Sequence, residues 1–553
     1  MIDMARIQPR TNFERIFTTG LTLLGVDNQE DTGSPLKAAG IKIRREVLQV
    51  PARQVSIPRI MYRESKTIDP TSQRWNLEDV KFYDTMVKFD GKILVLAPYY
   101  FQSASDTSQP ASDTAKQLFE GMRGLGIDFN GRDFGNVVRV DTIDLQNIAQ
   151  SLITQLSKAR VGWRFNSNEK NLVIFINDTT VKEQAKAFDH FKRVVEQQFG
   201  YHSLCLSQQA IYKCKQKQQY MGNVAMKVNI RLGNTNHVIV PRAELNDPSL
   251  KRLFDGNQLD TIILGADVTH TQKDSAESSR SLAALVGSVD DTFGQFYESM
   301  RYQERNKEII QDVYEMTKQR LEAFFNHPEG HARKPRNRLP KRILYYRDGV
   351  DNGQYYAVRK DEVQNIKRAW FDLVKEKKLT ETYNEEPKVT AVVVTKRHRT
   401  RFYPERVPAV ISRENQNCKQ GTCVDSGVTH TTFFDFFLQS HKPPPKGTAK
   451  PTYYVVLENG MNFTPNELQV FTNWLCYTYV RATLPVGYAP PTYYADRLCD
   501  RARCYFSDYL KPQAGKRDAG KRGSELWDER WNDNGGNTHG PWDTKLNDTM
   551  FWM

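Results

Sequence analysis

Two short apolar runs, Thr261-Ile-Ile-Leu-Gly-Ala-Asp267-Val-Thr-His270 and Arg342-Ile-Leu-Tyr-Tyr-Arg-Asp348-Gly-Val350, each lead into an aspartate. Runs of this length read as strands buried on both faces, which belong to parallel sheets covered by helices. A buried strand fixes the direction of its last side chain. Two carboxylates at neighbouring strand ends are then held at a defined separation, as hard divalent cations bound through oxygen require. A pair of such ions about 3.5–4 Å apart activates water and stabilises the leaving oxygen in phosphodiester hydrolysis, so the pattern points to a two-metal nuclease.

The rest of the composition agrees with a nucleic-acid partner. At 553 residues and 39% hydrophobic content the chain has room for two or more domains with apolar cores. Lys and Arg exceed Asp and Glu by 13, which favours a polyanion. The seven cysteines are odd in number and scattered, and Cys418-Lys-Gln-Gly-Thr-Cys423 lacks zinc-ligand spacing, so they read as thiols in a reducing compartment. The N-terminus has no apolar signal core and no run reaches the roughly 18 apolar residues of a membrane span, so the expectation is a cytoplasmic or nuclear protein, with no membrane partner.

Residues 1–84 mix Arg, Pro and short apolar segments and read as a linker packed on something larger. From Lys92-Ile-Leu-Val-Leu-Ala-Pro98 onward, strands alternate with helical periodicity: Asn171 to Asn177, a helix near 181–199, then Ser203-Leu-Cys-Leu-Ser207. That alternation predicts a parallel sheet with helices on its faces. No GxGxxG follows the first strand and no GxxxxGK[ST] occurs, so anions must be held by side chains. Lys227 and Arg231 stand at i and i+4, and Lys192 shares a helix with Phe188; a solvated basic face is the competing reading.

After a polar stretch over 234–258, strands are predicted at 261–266, 342–347, 389–395 and 453–457, and helices near 304–325, 355–376, 465–480 and 492–506. His327 to Pro340 and Lys511 to Thr544 read as exposed loops. Further acids are on offer. Glu304 and Glu308 sit near the start of the 304–325 helix, where they would also serve simply to stabilise its N-terminus. Beyond Pro490-Pro491, Thr492 is a candidate cap for a helix carrying Asp496 and Asp500 on one face, and spacing alone does not choose between them.

In order along the chain come Leu264-Gly-Ala-Asp-Val-Thr-His270, Glu308-Ile-Ile-Gln311, Tyr346-Arg-Asp-Gly-Val350 with Gly353-Gln354, Lys396-Arg-His398, Thr429-His-Thr-Thr-Phe-Phe-Asp-Phe436, Tyr477-Thr-Tyr-Val-Arg481, Tyr493-Tyr-Ala-Asp496 and Thr549-Met-Phe-Trp-Met553. Together they resemble an Argonaute protein over about residues 85–553. Ala38-Ala-Gly-Ile-Lys-Ile43 looks like the linker before the MID domain, and nothing resembles the family's N-terminal or PAZ domains. The resemblance implies an α/β chain: a linker-like region (1–84), a Rossmann-like MID domain (85–240) and a ribonuclease H-like PIWI domain (241–553).

It also implies site residues. Asp267, Glu308, Asp348 and Asp496 match the catalytic tetrad, with Asp where many animal members carry His, although Asp also occurs in cleaving members. Asp267, Asp348 and Asp496 would hold two Mg²⁺ or Mn²⁺ ions, and Glu308 would enter on a mobile segment and orient the site around water. Phe188, Lys192, Cys205, Lys227 and Arg231 match the pocket for a guide's 5′ phosphate, joined by Arg501 and the carboxylate of Met553. Phe188 replaces the usual Tyr, Leu204 a frequent Gln and Arg231 a usual Lys, whose loss the planar fork of arginine offsets. Arg397 and Arg399, in the basic and aromatic run Lys396 to Tyr403, and Lys450, Tyr479 and Arg481 match positions on the nucleic-acid backbone. Asn177 to Thr180 match the loop that reads the first guide base. The implied function is a small-RNA-guided silencing endoribonuclease, its partners a 5′-phosphorylated guide RNA, a complementary target RNA and silencing-complex proteins. A non-cleaving guide-binding module and a DNA-guided nuclease are the alternatives.

Overall fold

Ile93–Pro98 (β1) and Leu172–Asn177 (β3) are buried at every residue. With Val138–Ile143 (β2) and His202–Ser207 (β4) they form an all-parallel sheet in the order β2-β1-β3-β4. Successive side chains of a strand alternate between faces, so a strand apolar throughout needs cover on both. The helices Ala111–Gly124 (α1), Ile148–Gly162 (α2), Lys182–Lys192 (α3) and Gln218–Arg231 (α4) belong to this unit. Leu94, Leu96, Val173 and Phe175 pack with Leu152, Leu156 and Phe191 of α2 and α3, whereas Val95 and Ile174 share a core with Phe119 and Val228 of α1 and α4. This is the Rossmann-like architecture expected. The chain here is a computed structural model that describes residues 7–25, 35–41, 46–70, 75–98, 111–163, 165, 169–177, 182–207, 218–240, 260–270, 280–329, 334–405, 416–444, 446–507, 528, 531 and 536–553.

The second sheet has nine strands. Thr261–Thr269 (β5), Ser281–Ser288 (β6), Phe296–Gln303 (β7), Arg342–Asp348 (β8), Lys388–Thr395 (β9), Thr422–Val424 (β10), Asp435–Gln439 (β11) and Thr452–Asn459 (β12) take the order β10-β11-β12-β9-β8-β5-β6-β7. Strand Arg53–Gln54 pairs with β10 at the edge. Only the pairs β5–β8 and β8–β9 of this sheet are parallel. Helices Val313–Asn326 (α5) and Gln364–Glu376 (α6) cover one face, through Met316, Leu321, Trp370 and Leu373. Pro465–Leu475 (α7) and Pro490–Tyr505 (α8) cover the other, through Leu468, Phe471, Tyr494 and Leu498. That second core is continuous with the core of the first unit. It is the ribonuclease H-like arrangement that the resemblance implies.

The linker-like region packs on both units, since Arg53–Gln54 pairs with β10 and Arg59–Met61 pairs with Val238–Val240. Several other expectations are corrected. Hairpin β6–β7 was not foreseen: Ser281-Leu-Ala-Ala-Leu-Val-Gly-Ser288 is rich in helix formers, and its pairing with strands on both sides overrides that preference. The helix expected from 304 begins at Val313. The residues before it form a loop in which Asn306 has φ +61° and the Gln303 amide donates to the carbonyls of Lys307 and Ile309. The helix expected over 465–480 ends at Leu475, and Thr492 does not cap α8. It lies in the first turn, its hydroxyl donating to the carbonyl of Ala489 at 2.9 Å. Within His327 to Pro340, Arg336 and Leu339 are buried, and Arg336 donates to the Val289 carbonyl at 2.6 Å. Most of Lys511 to Thr544 lies outside the described residues.

Candidate active site and nucleic-acid interface

Asp267 does not end its strand, as the sequence suggests; it is two residues short of the end, because β6 extends the antiparallel ladder through Asp267↔Ala284 and Thr269↔Leu282. The parallel ladder with β8 stops at Ala266↔Arg347. Asp267 and Asp348 are therefore the next matched pair, at one level on adjacent strands about 4.8 Å apart, and they face the same side. That side is the one covered by α8. Gly265, two residues before Asp267, is what lets the helix approach, since a Cβ there would lie 2.2 Å from the carbonyl carbon of Pro491. The first turn of α8 rests on bare backbone, and Asp496 follows one and a half turns later, half-buried beside the pair.

Burial pushes Asp267 well above the usual carboxylate range, and the charges of Asp348 and Asp496 push it further, against Arg347 and Lys396. Asp348 is also raised by burial, while the Lys396 ammonium, 2.5 Å from its Oδ2, opposes the rise. Lys396 in turn stands 3.8 Å from the centroid of the Tyr488 ring. The neighbouring carboxylates thus add to the cost of ionising Asp267 and Asp348, which a bound cation would relieve. Their donors are all oxygen, the set that suits Mg²⁺ and Mn²⁺. Among the described residues, however, no three His, Cys, Asp or Glu side chains form a group that would enclose a single ion.

Glu308 is brought to the same place by a different route. Its Oε2 meets Nε2 of His270 at 2.8 Å, and its Oε1 lies 3.0 Å from Nη2 of Arg347, close enough for charge but not aligned as a hydrogen bond. Arg347 also donates to the Glu308 carbonyl. A Cβ on Gly349 would lie 3.5 Å from Glu308 Oε1 and 3.9 Å from Asp267 Oδ1, so the two carboxylates flank the space beside that glycine. Behind them, fully buried Glu362 accepts from the backbone N–H of Ile310 at 2.8 Å, the Tyr345 hydroxyl at 2.8 Å and Nε of Arg347 at 3.2 Å. Sequence reading missed His270, Arg347, Glu362 and Lys396 as site residues. His270, Arg347 and Lys396 lie inside the quoted motifs, but the acids they meet at the site, Glu308 for the first two and Asp348 for the third, are 38 or more residues away.

A second cluster lies where α3, α4 and α8 meet. Lys192 is fully buried, donates to the Ser203 carbonyl at 3.1 Å and stands 5.4 Å from the centroid of the half-buried Phe188 ring. Burial, then the charge of Arg501, pulls Lys192 far below the usual lysine range. Burial brings Lys227 down to about 7, with Arg481 and Arg231 adding to the effect, and Arg231 down to about 9. The Cys205 thiol is pushed up to about 11 by burial and stays protonated. Arg231 donates to the carbonyls of Phe551, at 3.1 Å, and Met553, while Arg501 donates to that of Trp552 at 2.9 Å. Buried Glu196, also missed, adds a side-chain carboxylate to the group and accepts from Ser203, Arg501 and Tyr505. Lys192, Lys227, Arg231, Arg481 and Arg501 outnumber the carboxylates of Glu196 and Met553, an excess of positive charge that favours an added anion.

The remaining basic positions are divided. Arg397 and Arg399 are exposed, and Lys450 lies within their field and that of Arg401. The ring of Tyr479 is buried and stacked on Tyr494 with centroids 5.6 Å apart. Of the segment Asn177 to Thr180, which the resemblance links to the first guide base, residues 178–180 lie outside the described residues. The six described cysteines are free, and among the described residues no helix is long and apolar enough to cross a membrane.

The profile of the Piwi domain matches residues 172–507. Protein argonaute 18 of Oryza sativa subsp. japonica is 31% identical over 494 residues, covering 88% of this chain and 42% of the relative. Protein argonaute 5 of Arabidopsis thaliana is 30% identical over 491 residues, covering 87% of this chain and 45% of the relative. The chain thus spans less than half the length of these curated relatives. Among solved structures, the C-terminal lobe of a budding yeast Argonaute is 26% identical with a TM-score of 0.69, covering 91% of this chain and 95% of that one. Kluyveromyces polysporus Argonaute, solved with a guide RNA, is 24% identical with a TM-score of 0.75, covering 100% of this chain and 58% of that one, and supports the fold alone. On the profile match across most of its length and on these relatives, the chain belongs to the Argonaute family of Piwi-domain proteins.

Proposed function

We propose that this chain binds a small guide RNA by its 5′ phosphate and cleaves complementary RNA in gene silencing, in the cytoplasm or nucleus and together with silencing-complex proteins. The observation that carries the nuclease reading is the register match of Asp267 with Asp348 under Asp496, with Glu308 beside them. The guide-binding reading rests on the buried cation cluster around Lys192. We also retain the division into a linker-like region (1–84), a MID domain (85–240) and a PIWI domain (241–553).

In this reading Phe188 stacks on the first guide base while Lys192, Lys227, Arg231 and Arg501 hold its phosphate. Arg397, Arg399, Lys450 and Arg481 follow the backbone, and base pairing with the guide reads the target. Asp267, Asp348 and Asp496 would hold two Mg²⁺ or Mn²⁺ ions, which supply Lewis-acid stabilisation of the phosphodiester and a nucleophile at neutral pH. Before that, Lys396 neutralises Asp348, and the cation–π contact with Tyr488 keeps the ammonium in place. His270 and Arg347 hold the Glu308 carboxylate toward the site, so that its free lone pairs can order water there.

A non-cleaving guide-binding module is the second reading, favoured by the Lys396 ammonium already paired with Asp348. One assay separates the two. The protein is loaded with a 5′-phosphorylated guide RNA, mixed with a labelled complementary RNA and Mg²⁺ or Mn²⁺, and the products are mapped. A single metal-dependent cut at a fixed distance from the guide's 5′ end, lost in Asp348→Ala with guide binding retained, supports the nuclease. Guide binding without a cut supports the module, and equal affinity for 5′-hydroxyl guides would count against the phosphate pocket.

A further inference from the structure

Away from the guide-phosphate cluster, a cavity of about 230 Å³ lies between the loop after α1 and the linker-like region, and it is lined by Arg63, Lys81, Arg123, Asp128 and Arg132. Its frame is fixed by backbone bonds: the Phe82 N–H donates to the Leu125 carbonyl at 2.9 Å and the Phe89 N–H to the Asp128 carbonyl at 2.7 Å. Gly126 lines it with φ +95°, and a Cβ there would come within 3.3 Å of Lys81 Cβ and 3.6 Å of Arg63 Nη1. Glycine therefore keeps the cavity open, with one arginine nitrogen beside it.

The charge there is unbalanced. Four cations line the cavity against Asp128, which is already paired with Lys88 at 3.3 Å. Two of the cations are anchored. Arg132 donates through Nη2 to the carbonyls of Phe89, at 2.6 Å, and Gly91, at 3.0 Å, and Arg63 donates to the Thr85 hydroxyl. Each keeps its other terminal nitrogen available. Lys81 and Arg123 are exposed and their side chains make no hydrogen bond or ion pair with any described residue; Arg123 only lies over the Phe119 ring at 5.8 Å. Anchored guanidinium groups beside free cationic arms form a site that presents several donors to one anion. Its volume is below that of ordinary drug-sized pockets, which start at about 300 Å³, so it suits a phosphoryl group better than a whole cofactor.

We propose that this cavity is a second anion site, which takes a phosphoryl group from either a free nucleotide or the backbone of a nucleic-acid strand. The test is hydrogen–deuterium exchange on the full chain, titrated with inorganic pyrophosphate and, separately, with a short single-stranded RNA bearing a 5′ hydroxyl. Saturable protection of the backbone over 125–132 is expected, read separately from peptides over 192–205 that report on the guide-phosphate cluster. In Lys81→Ala/Arg123→Ala, which alters only exposed side chains, the midpoint should move to about fivefold higher ligand or more, with the melting temperature unchanged. Protection by pyrophosphate alone assigns the site to free phosphates, and tighter protection by RNA assigns it to a strand. No saturable protection of 125–132 with either ligand, or protection unchanged in the double variant, overturns the proposal.

Discussion

Gly265 and Pro491 are so close that no side chain fits between them: a Cβ on Gly265 would lie 2.2 Å from the carbonyl carbon of Pro491 and 2.3 Å from its oxygen. Helix α8 carries both Asp496, toward the aspartate pair, and Arg501, toward Glu196. Gly265→Ala must push that helix outward. The expected cost is at least the about 1–3 kcal/mol typical of overpacking, because the opposing atoms are backbone. Cleavage and discrimination between 5′-phosphate and 5′-hydroxyl guides should fall together, measured beside thermal unfolding. A stable variant with both activities intact would mean that α8 does not position either group.

The proposed phosphate cluster predicts a pH dependence. Burial holds Lys227 near 7 in the free protein, so above that pH its amine is neutral and must take up a proton to meet a phosphate. Affinity for a 5′-phosphorylated guide should therefore fall as pH rises through 7, approaching about tenfold per pH unit for one coupled proton. Below about 6 the phosphate loses its second charge and affinity should fall again. A 5′-hydroxyl guide should show neither limb, and Lys227→Arg should make the alkaline one shallower, the remainder coming from buried Lys192. The same shift acts on folding with a defined sign. An unfolded lysine titrates near about 10.4, so between 7 and that value the unfolded chain binds more protons and the guide-free protein gains stability as pH rises. A flat binding profile from pH 7 to 9 would remove Lys227 from the phosphate contact.

How much of this was legible in the sequence follows from where each residue's partners lie. Asp267 and Asp348 were visible because a buried parallel strand announces itself by an unbroken apolar run, and their levels follow from pairing alone. Glu308 stands out as a candidate acid and by family resemblance, but its setting is not legible in the sequence. The pattern of apolar residues after 309 suggested a helix from 304, whereas the segment is a loop whose polar backbone is satisfied by Gln303, Arg347 and Glu362. Such partners leave no local signal. The hairpin β6–β7 was hidden for a related reason, since Leu and Ala carry little strand preference and only tertiary pairing decides. Tyr479 shows a further limit: nothing in the motif that contains it announces that its ring is buried against Tyr494.

The exposed edge formed by Arg397 and Arg399 predicts a salt effect distinct from that of the buried cluster. Each phosphate contact on a single strand contributes about −0.7 to the slope of log affinity against log salt. Arg397→Ala and Arg399→Ala should each weaken guide binding across all sequences and make the slope shallower by about 0.7, leaving 5′-phosphate preference unchanged. An unchanged slope would return these residues to an ordinary solvated face.

The Glu308 loop is held at two points that should separate under mutation. Glu362 is fully buried and receives three donors, one of them the guanidinium of Arg347. Glu362→Gln removes the charge opposite a buried arginine and turns an amide toward other donors, so a loss of about 3–5 kcal/mol is expected, read by denaturant unfolding. Among the described residues the His270 ring bonds only to the Glu308 carboxylate and the Ser281 hydroxyl, at 2.8 and 2.9 Å, and is part-exposed. His270→Gln should leave stability and guide binding nearly unchanged and slow cleavage by about 10–100-fold, the usual effect of losing a group that orients a working side chain. The two variants thus distinguish a carboxylate that must be aimed from one that merely fills a loop. If His270→Gln cleaves at the parent rate while Glu362→Gln unfolds as expected, the loop is structural and Glu308 does not act at the site.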